Sequence, residues 1–486
     1  MNRLKTGVPG LDIVLNGGLL EERTYLLLGA PGVGKTIMSL QFLLEGSRKG
    51  ERCVCLNLIE PASAVENNAR SFHWDLDGIT MKDLTGHGVE APGTYEVFAP
   101  SEVESSPIFK EIYDTINEIR PQRLVIDSVT QLRHVAIDDY QFRKQILALI
   151  LHLSKLGCTT LLTHEPNQFS KEIYTGLAVD GIIRLRRELS EQKAVEVRSL
   201  EVQKFRGSDY RAGVHYFRFK KDGIHLFPRL DVQRDVEEMS DEQLKSGIKS
   251  LDDLLGGGIE IGTTTLISGP TGVGKSTMVA QFLSQAAKFK QKKCLYLSFE
   301  EAPSSILKRN DGLGIPLWKL VDDGKVALEY VHPRQYYPSE LAIHVRSFVE
   351  QGYEVVALDG IRGYEFAMEP FGSAVNNLNN LLSELGAAGV SVFLTNEVEV
   401  IAGGELKATE TGASHMCDNL LLMRYSEYKA EVIKLIGCLK KRLSPFEPEL
   451  RRVRIRSAPD GLEVGPKLRE LRGILTGVPT LAQEET

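Results

Sequence analysis

The chain has 486 residues, 42% of them hydrophobic and 25% charged, which at roughly 150 residues per domain allows two or three domains of ordinary globular composition. Acidic residues outnumber basic ones by 65 to 58, a net charge of −7 that argues against a protein holding nucleic acid by bulk charge. The first residues lack the apolar core of a signal peptide, and no window reaches the roughly 18 uninterrupted apolar residues of a membrane span, so a cytoplasmic, membrane-free protein is expected.

After the opening Thr6-Gly7-Val8-Pro9-Gly10-Leu11-Asp12, a strand-like run, Tyr25-Leu26-Leu27-Leu28, leads into Gly29-Ala30-Pro31-Gly32-Val33-Gly34-Lys35-Thr36. A Gly-x-x-x-x-Gly-Lys-Thr run between a strand and a helix cradles phosphates with its backbone N–H groups and the helix N-terminus. Gly29, Gly32, Val33 and Gly34 are expected to form the cradle, Lys35 to reach the β and γ phosphates, and Thr36 to ligate Mg²⁺. Glu60 closes the next apolar run, Leu58-Ile59-Glu60. A glutamate beside a cradle orients or deprotonates an attacking water, although a solvated strand end would read the same. Asp127 ends Leu124-Val125-Ile126-Asp127, where a carboxylate completes a Mg²⁺ site; alone it reads equally as a helix cap. A helical pattern over Phe142 to Lys155 and a strand over Thr159 to Leu162 follow. Lys204 and Arg206, spaced by two, share a strand face and suit an arginine-finger role on a neighbouring subunit's ATP, or a solvated face.

The pattern then restarts. Ser246-Gly247-Ile248-Lys249-Ser250-Leu251-Asp252 repeats the opening, and Gly269-Pro270-Thr271-Gly272-Val273-Gly274-Lys275-Ser276 repeats the cradle, both at an offset of 240 residues. Gly269, Thr271, Gly272, Val273, Gly274, Lys275 and Ser276 inherit the nucleotide and Mg²⁺ roles. Phe299-Glu300-Glu301 supplies two candidate carboxylates, Asp359 the metal carboxylate, and Lys440 with Arg442 the basic strand. The chain is therefore a tandem duplication: residues 1–230, an acid-rich linker over 231–243, and residues 244–486. Alternating apolar runs and helical patterns predict, in each half, a mostly parallel sheet with helices on both faces. Arg451-Arg452-Val453-Arg454 is basic but flanked by Glu447 and Glu449, which fits an exposed sheet edge as well as nucleic acid. The six cysteines, Cys53, Cys55, Cys158, Cys294, Cys417 and Cys438, lack Cys-x-x-Cys or histidine clustering, so buried reduced thiols are expected and no zinc or haem site.

Together these residues resemble the KaiC-type circadian clock ATPases, tandem RecA-like P-loop proteins, over nearly the whole chain. The likeness rests on the Gly-x-x-x-Leu-Asp openings, both cradles, the glutamate strands, Asp127 and Asp359, and Lys204-Phe205-Arg206-Gly207-Ser208. It runs on to Leu468-Arg469-Glu470-Leu471-Arg472-Gly473 near the end. The resemblance implies a double-ringed homohexamer with ATP between subunits. Lys204 and Arg206, or Lys440 and Arg442, would act in trans, with Ser208 and Ser444 as further nucleotide contacts. It implies a slow ATPase in the first ring, and hydrolysis with autophosphorylation and autodephosphorylation in the second. There Glu300 is the general base with Glu301 beside it, and Ser414 of Ser414-His415-Met416-Cys417-Asp418 the acceptor. His415 replaces the family's second acceptor, Ile59 its first carboxylate in the first half, and Leu443 the glycine after the basic pair.

Three classes of function compete. The first is a Mg²⁺-ATPase with serine autokinase activity and protein partners of a signalling or clock type. A recombinase- or helicase-like DNA-handling ATPase is disfavoured by the charge and by the absence of a basic stretch interleaved with aromatics. A nucleotide-gated signalling scaffold without kinase activity shares every motif with the first and differs only in turnover.

Overall fold

The computed structural model describes residues 2–85, 107–166, 179–189, 196–229, 242–398, 415–468, 471–472 and 480–481, apart from residues 334, 429 and 460. The chain forms two units, Met1–Arg229 and Leu230–Thr486. Most of the expected linker, residues 231–241, lies outside the described residues.

The first unit runs β1 (Thr24–Leu28), α1 (Lys35–Ser47), β2 (Cys53–Asn57), α2 (Ala62–Arg70), β3 (Ile79–Asp83), α3 (Pro107–Ile119), β4 (Arg123–Asp127), α4 (Asp139–Lys155), β5 (Thr159–His164), β6 (Gly181–Leu189), β7 (Glu196–Phe205), β8 (Val214–Lys220) and β9 (Gly223–Phe227). Its sheet has the order β3-β2-β4-β5-β1-β6-β7-β8-β9. Strands β3 to β6 in that order are parallel, and β7, β8 and β9 extend the sheet antiparallel. Apolar residues alternate between two cores. Tyr25 and Leu27 of β1 join Met38 and Phe42 of α1, whereas Leu26 and Leu28 join Ile112 of α3 and Leu149 of α4. Helices thus cover both faces, which is why the parallel strands read as unbroken apolar runs rather than alternating ones.

The second unit runs β10 (Thr264–Gly269), α5 (Lys275–Phe289), β11 (Lys293–Ser298), α6 (Pro303–Gly312), β12 (Val326–Tyr330), α7 (Pro338–Glu350), β13 (Tyr353–Asp359), α8 (Ala374–Ala387), β14 (Ser391–Glu397), β15 (Asn419–Tyr428), β16 (Glu431–Lys441), β17 (Arg451–Ile455) and β18 (Leu462–Lys467). The order β12-β11-β13-β14-β10-β15-β16-β17-β18 repeats that of the first unit strand for strand. In both, the strand before the cradle lies mid-sheet between two parallel neighbours, so the cradle opens at the carboxyl ends of the strands, where open α/β sheets bind ligands.

Three local expectations change. The glutamates are not on strands: β2 ends at Asn57 and β11 at Ser298, which leaves Glu60, Glu300 and Glu301 in the turns beyond. Arg206 and Arg442 lie one residue past β7 and β16, whereas Lys204 and Lys440 lie within them, and the register irregularity of each strand falls before the pair, at Gln203 and Leu439. The arginines of β17 are not at an edge, because β18 covers it; Arg451 pairs with Glu447, Arg452 with Glu431 and Arg454 with Glu463.

All six cysteines are buried free thiols, as expected. Among the described residues no helix is long and apolar enough to cross a membrane.

Candidate nucleotide sites

Each cradle begins with backbone that demands glycine. Gly32 and Gly34 have φ of 71° and 118°, and Gly272 and Gly274 have 71° and 117°, a left-handed region costly for any residue with a Cβ. Space is short as well: a Cβ on Gly34 would meet the Phe219 ring at 2.8 Å, and one on Gly274 would meet Ile455 Cδ1 at 2.5 Å. Val33 and Val273 are fully buried beneath the loops, and α1 and α5 start at Lys35 and Lys275 with their unpaired first-turn N–H groups at the cradle.

The lysines fold back on the loop. Lys35 Nζ donates to Gly29 O at 2.8 Å and Ala30 O at 3.1 Å, and Lys275 Nζ to Gly269 O at 2.8 Å and Pro270 O at 2.9 Å. Beside them the predicted metal groups meet. Thr36 Oγ1 donates to Asp127 Oδ2 at 2.6 Å, and Ser276 Oγ to Asp359 Oδ1 at 3.0 Å.

Sequence reading missed several partners. Thr163 Oγ1 donates to Asp127 Oδ1 at 2.5 Å, and its counterpart Thr395 donates to Asp359 Oδ1 at 2.6 Å. Two residues on, Glu165 pairs with Lys35 at 3.3 Å, and Glu397 lines the second cavity beside Lys275. The repeat held a signal for both, since Thr163-His164-Glu165 and Thr395-Asn396-Glu397 each follow directly on an apolar run. Cations from the antiparallel extension also cover the loops: Arg198 donates to Gly32 O and Val33 O at 3.3 Å, and Lys434 to Gly272 O at 2.8 Å.

In the second unit a cavity of about 290 Å³ is lined by Lys275, Ser276, Glu300, Asp359, Glu397 and Lys434, among others. Loss of hydration raises the Glu300 carboxyl above its ordinary range, and the Asp359 and Glu397 charges add to this, against the Gly363 N–H and Lys275. Loss of hydration also lowers Lys275, opposed by the same three carboxylates. Gly360, at φ 97°, makes room for Glu300, whose carboxyl carbon lies 2.7 Å from where a Cβ would stand. Glu301 lines the cavity too, and there it pairs with Arg309 of α6. In the first unit Glu60 is exposed and has no hydrogen-bond or ion-pair partner among the described residues.

Within the second unit Lys440 and Arg442 are not among the described residues that line the cavity. Lys440 Nζ donates to Cys417 O at 2.5 Å, and Arg442 to Asp418 Oδ1 at 3.3 Å and His415 O at 3.1 Å. Desolvation lowers Lys204 and Lys440 below their usual values, and the adjacent Arg206 or Arg442 lowers each further. Ser208 accepts from Arg3, and Ser444 accepts from the buried Lys441 at 2.5 Å, so within their own unit both brace the turn after the basic strand. Ser414 lies outside the described residues.

The donor set of each site is all oxygen and suits a hard divalent cation. A sequence model of the family described as "ATPase: KaiC" matches residues 4–231 and 244–469. The chain is 26% identical over 489 residues to the circadian clock protein KaiC3 of Synechocystis sp., covering 99% of this chain and 95% of that protein. It is likewise 26% identical over 500 residues to the circadian clock oscillator protein KaiC of Prochlorococcus marinus, with 99% and 95% covered. A further relative, the circadian clock protein KaiC2 of Synechocystis sp., is 26% identical over 444 residues, covering 90% and 77%.

Proposed function

Because the chain belongs to the KaiC ATPase family, we propose that it is a Mg²⁺-dependent ATPase with serine autokinase and autophosphatase activity in its second unit, assembled as a cytoplasmic double-ring homohexamer. The observation that carries this reading is the hydroxyl–carboxylate pair beside each cradle, Thr36 on Asp127 and Ser276 on Asp359, with a lysine one residue before the hydroxyl. Mg²⁺, when bound, supplies charge neutralisation at the phosphates.

The chain's own groups do the rest. Backbone N–H groups from Gly32 to Thr36 and from Gly272 to Ser276 receive the phosphates, and Lys35 and Lys275 exchange their carbonyl partners for β and γ oxygens. Glu300, its carboxyl raised above the ordinary range by lost hydration and facing the cavity, accepts the proton of an attacking water, or of the Ser414 hydroxyl when that is the acceptor. Glu301 holds Arg309 and keeps α6 against the site. In the first unit Glu60 alone serves, and turnover there is slower.

Lys204 with Arg206 and Lys440 with Arg442 reach a neighbouring subunit's nucleotide. Each is a crowded pair of like charges, an arrangement a polyanion relieves. Protein partners of a signalling or clock type read the phosphorylated or nucleotide-bound state, by likeness to the named relatives.

The test is incubation of the purified full chain with Mg²⁺-ATP, following phosphate release, peptide-resolved mass spectra and particle mass by light scattering. Phosphate release that Lys35→Ala/Lys275→Ala abolishes, with one phosphoryl group on Ser414 absent from Ser414→Ala and a sixfold mass with ATP, is the expected result. Release that survives both lysine substitutions sinks the ATPase reading; an unmodified Ser414 during turnover sinks the kinase part alone.

A further inference from the structure

Strand β11 leads into the Glu300 turn through Leu295-Tyr296-Leu297, a run whose side chains are all buried. An apolar residue at position 296 would satisfy the core around it, yet the residue is a tyrosine with no exposed surface, and its hydroxyl lies 2.6 Å from Asp359 Oδ2. A phenol buried this deeply needs a polar partner. Here it can only donate, because a carboxylate oxygen only accepts.

The two units differ at this point. Tyr296 pairs across the sheet with Ala357, two residues before Asp359; the matching residue of the first unit is Cys55, opposite Val125, two residues before Asp127. The Cys55 thiol donates to Asn57 Oδ1 instead. Asp127 therefore has two hydroxyl donors, Thr163 on Oδ1 and Thr36 on Oδ2, one of them from its own cradle. Asp359 has three: Thr395 and Ser276 on Oδ1, and Tyr296 on Oδ2. When the cradle hydroxyl turns away to a cation, Asp127 is left, among the described residues, with a donor on one oxygen only, whereas Asp359 keeps one on each.

We propose that Tyr296 is a positioning residue of the second unit's cation site, pinning Asp359 Oδ2 so that Oδ1 stays turned toward Ser276 and the nucleotide's metal, a restraint the first unit lacks. This rests on the reading of Asp359 as the metal-facing carboxylate. Removal of the hydroxyl leaves a buried carboxylate oxygen without its donor and lets the group turn. Losses of outer-shell partners of this kind weaken metal binding by roughly 10–100-fold.

The test uses the full chain carrying Lys35→Ala, so that only the second unit takes nucleotide. Mg²⁺ is titrated against a fluorescent ATP analogue, with a parallel measurement in chelator. Tyr296→Phe is expected to raise the half-saturating Mg²⁺ concentration about tenfold and to leave metal-free affinity unchanged, a split that mere loosening of the core does not give. Cys55→Ala in a Lys275→Ala chain is expected to move neither. As a readout independent of that variant's folding, 3-fluorotyrosine placed at position 296 alone should shift its ¹⁹F resonance when Mg²⁺ is added to the nucleotide-loaded chain. An unchanged midpoint in a folded Tyr296→Phe, or an unmoved resonance, overturns the proposal. Absence of any Mg²⁺-dependent binding in the Lys35→Ala parent overturns instead the reading of the site on which it rests.

Discussion

Arg309 Nη1 sits 2.6 and 2.5 Å from the two oxygens of Glu301, so of the two adjacent glutamates that line the cavity after β11, Glu301 is tied to the helix that follows while Glu300 accepts from the Gly363 N–H. The first unit has neither half of this arrangement, since Ile59 stands in the place of Glu300 and Asn68 in that of Arg309.

The pairing separates the roles of the two carboxylates. In a Lys35→Ala background, Glu300→Gln should cut phosphate release about 100-fold or more, the scale of a lost general base. Glu301→Gln should cost only a few-fold and should lower the melting temperature along with Arg309→Ala. Equal losses from both glutamine variants would show that Glu301 also meets the attacking group.

The raised Glu300 carboxyl gives a pH signature with a definite sign. Ionised Glu300 is the active form, so second-unit turnover should fall on acidification at a pH clearly above the ordinary glutamate value of about 4.3. Stability runs the other way. The folded state holds this proton more tightly than the unfolded chain, so the group's contribution is complete below the unfolded pKa and is lost as pH rises through the folded one. Glu300→Gln should therefore melt higher than the parent at neutral pH, with the gain vanishing in acid; melting curves at the two pH values check it.

Gly274→Ala should both strain the cradle and close it. At φ 117° a Cβ costs about 1–3 kcal/mol, and this one would collide with Ile455 Cδ1 at 2.5 Å. The melting temperature should drop and the ATP-induced melting shift of the second unit should disappear, while the first unit's shift persists.

Lys441 and Glu260 form an ion pair with side-chain exposures of 0% and 9%, the lysine also donating to Leu255 O and Ser444. Lys441→Met alone leaves the Glu260 charge buried and should cost about 3–5 kcal/mol in chemical denaturation. Adding Glu260→Gln should recover a good part of that. A double variant no more stable than the single would mean that the carbonyl and serine contacts, not the charge, hold the turn.

The cradles, Asp127 and Asp359 were legible because glycine, lysine and a terminal carboxylate stand out against apolar runs, and because each pattern occurs twice. What stayed hidden was polar chemistry inside those runs. Thr163 and Thr395 look like ordinary β-branched strand residues, and Tyr296 looks like core, since nothing in a periodicity marks which buried hydroxyl faces a carboxylate. Arg309 lies eight residues beyond Glu301, and their meeting depends on how the turn feeds α6, which spacing alone does not give. The glutamates, Arg206 and Arg442 read as strand residues because apolar runs mark where a strand passes through the core. They do not mark where the strand ends, and that point falls one to three residues earlier.

The mid-sheet position of β1 and β10 has a consequence during synthesis. The second cradle is encoded by residues 269–276, but β10 is flanked by β14 and β15, which end at Glu397 and Tyr428. A growing chain thus carries the phosphate-binding sequence for some 150 residues before the strands that fix its geometry have left the ribosome. ATP, abundant in any cell, cannot act as a folding ligand for the early chain; it can only reward a unit that is nearly complete.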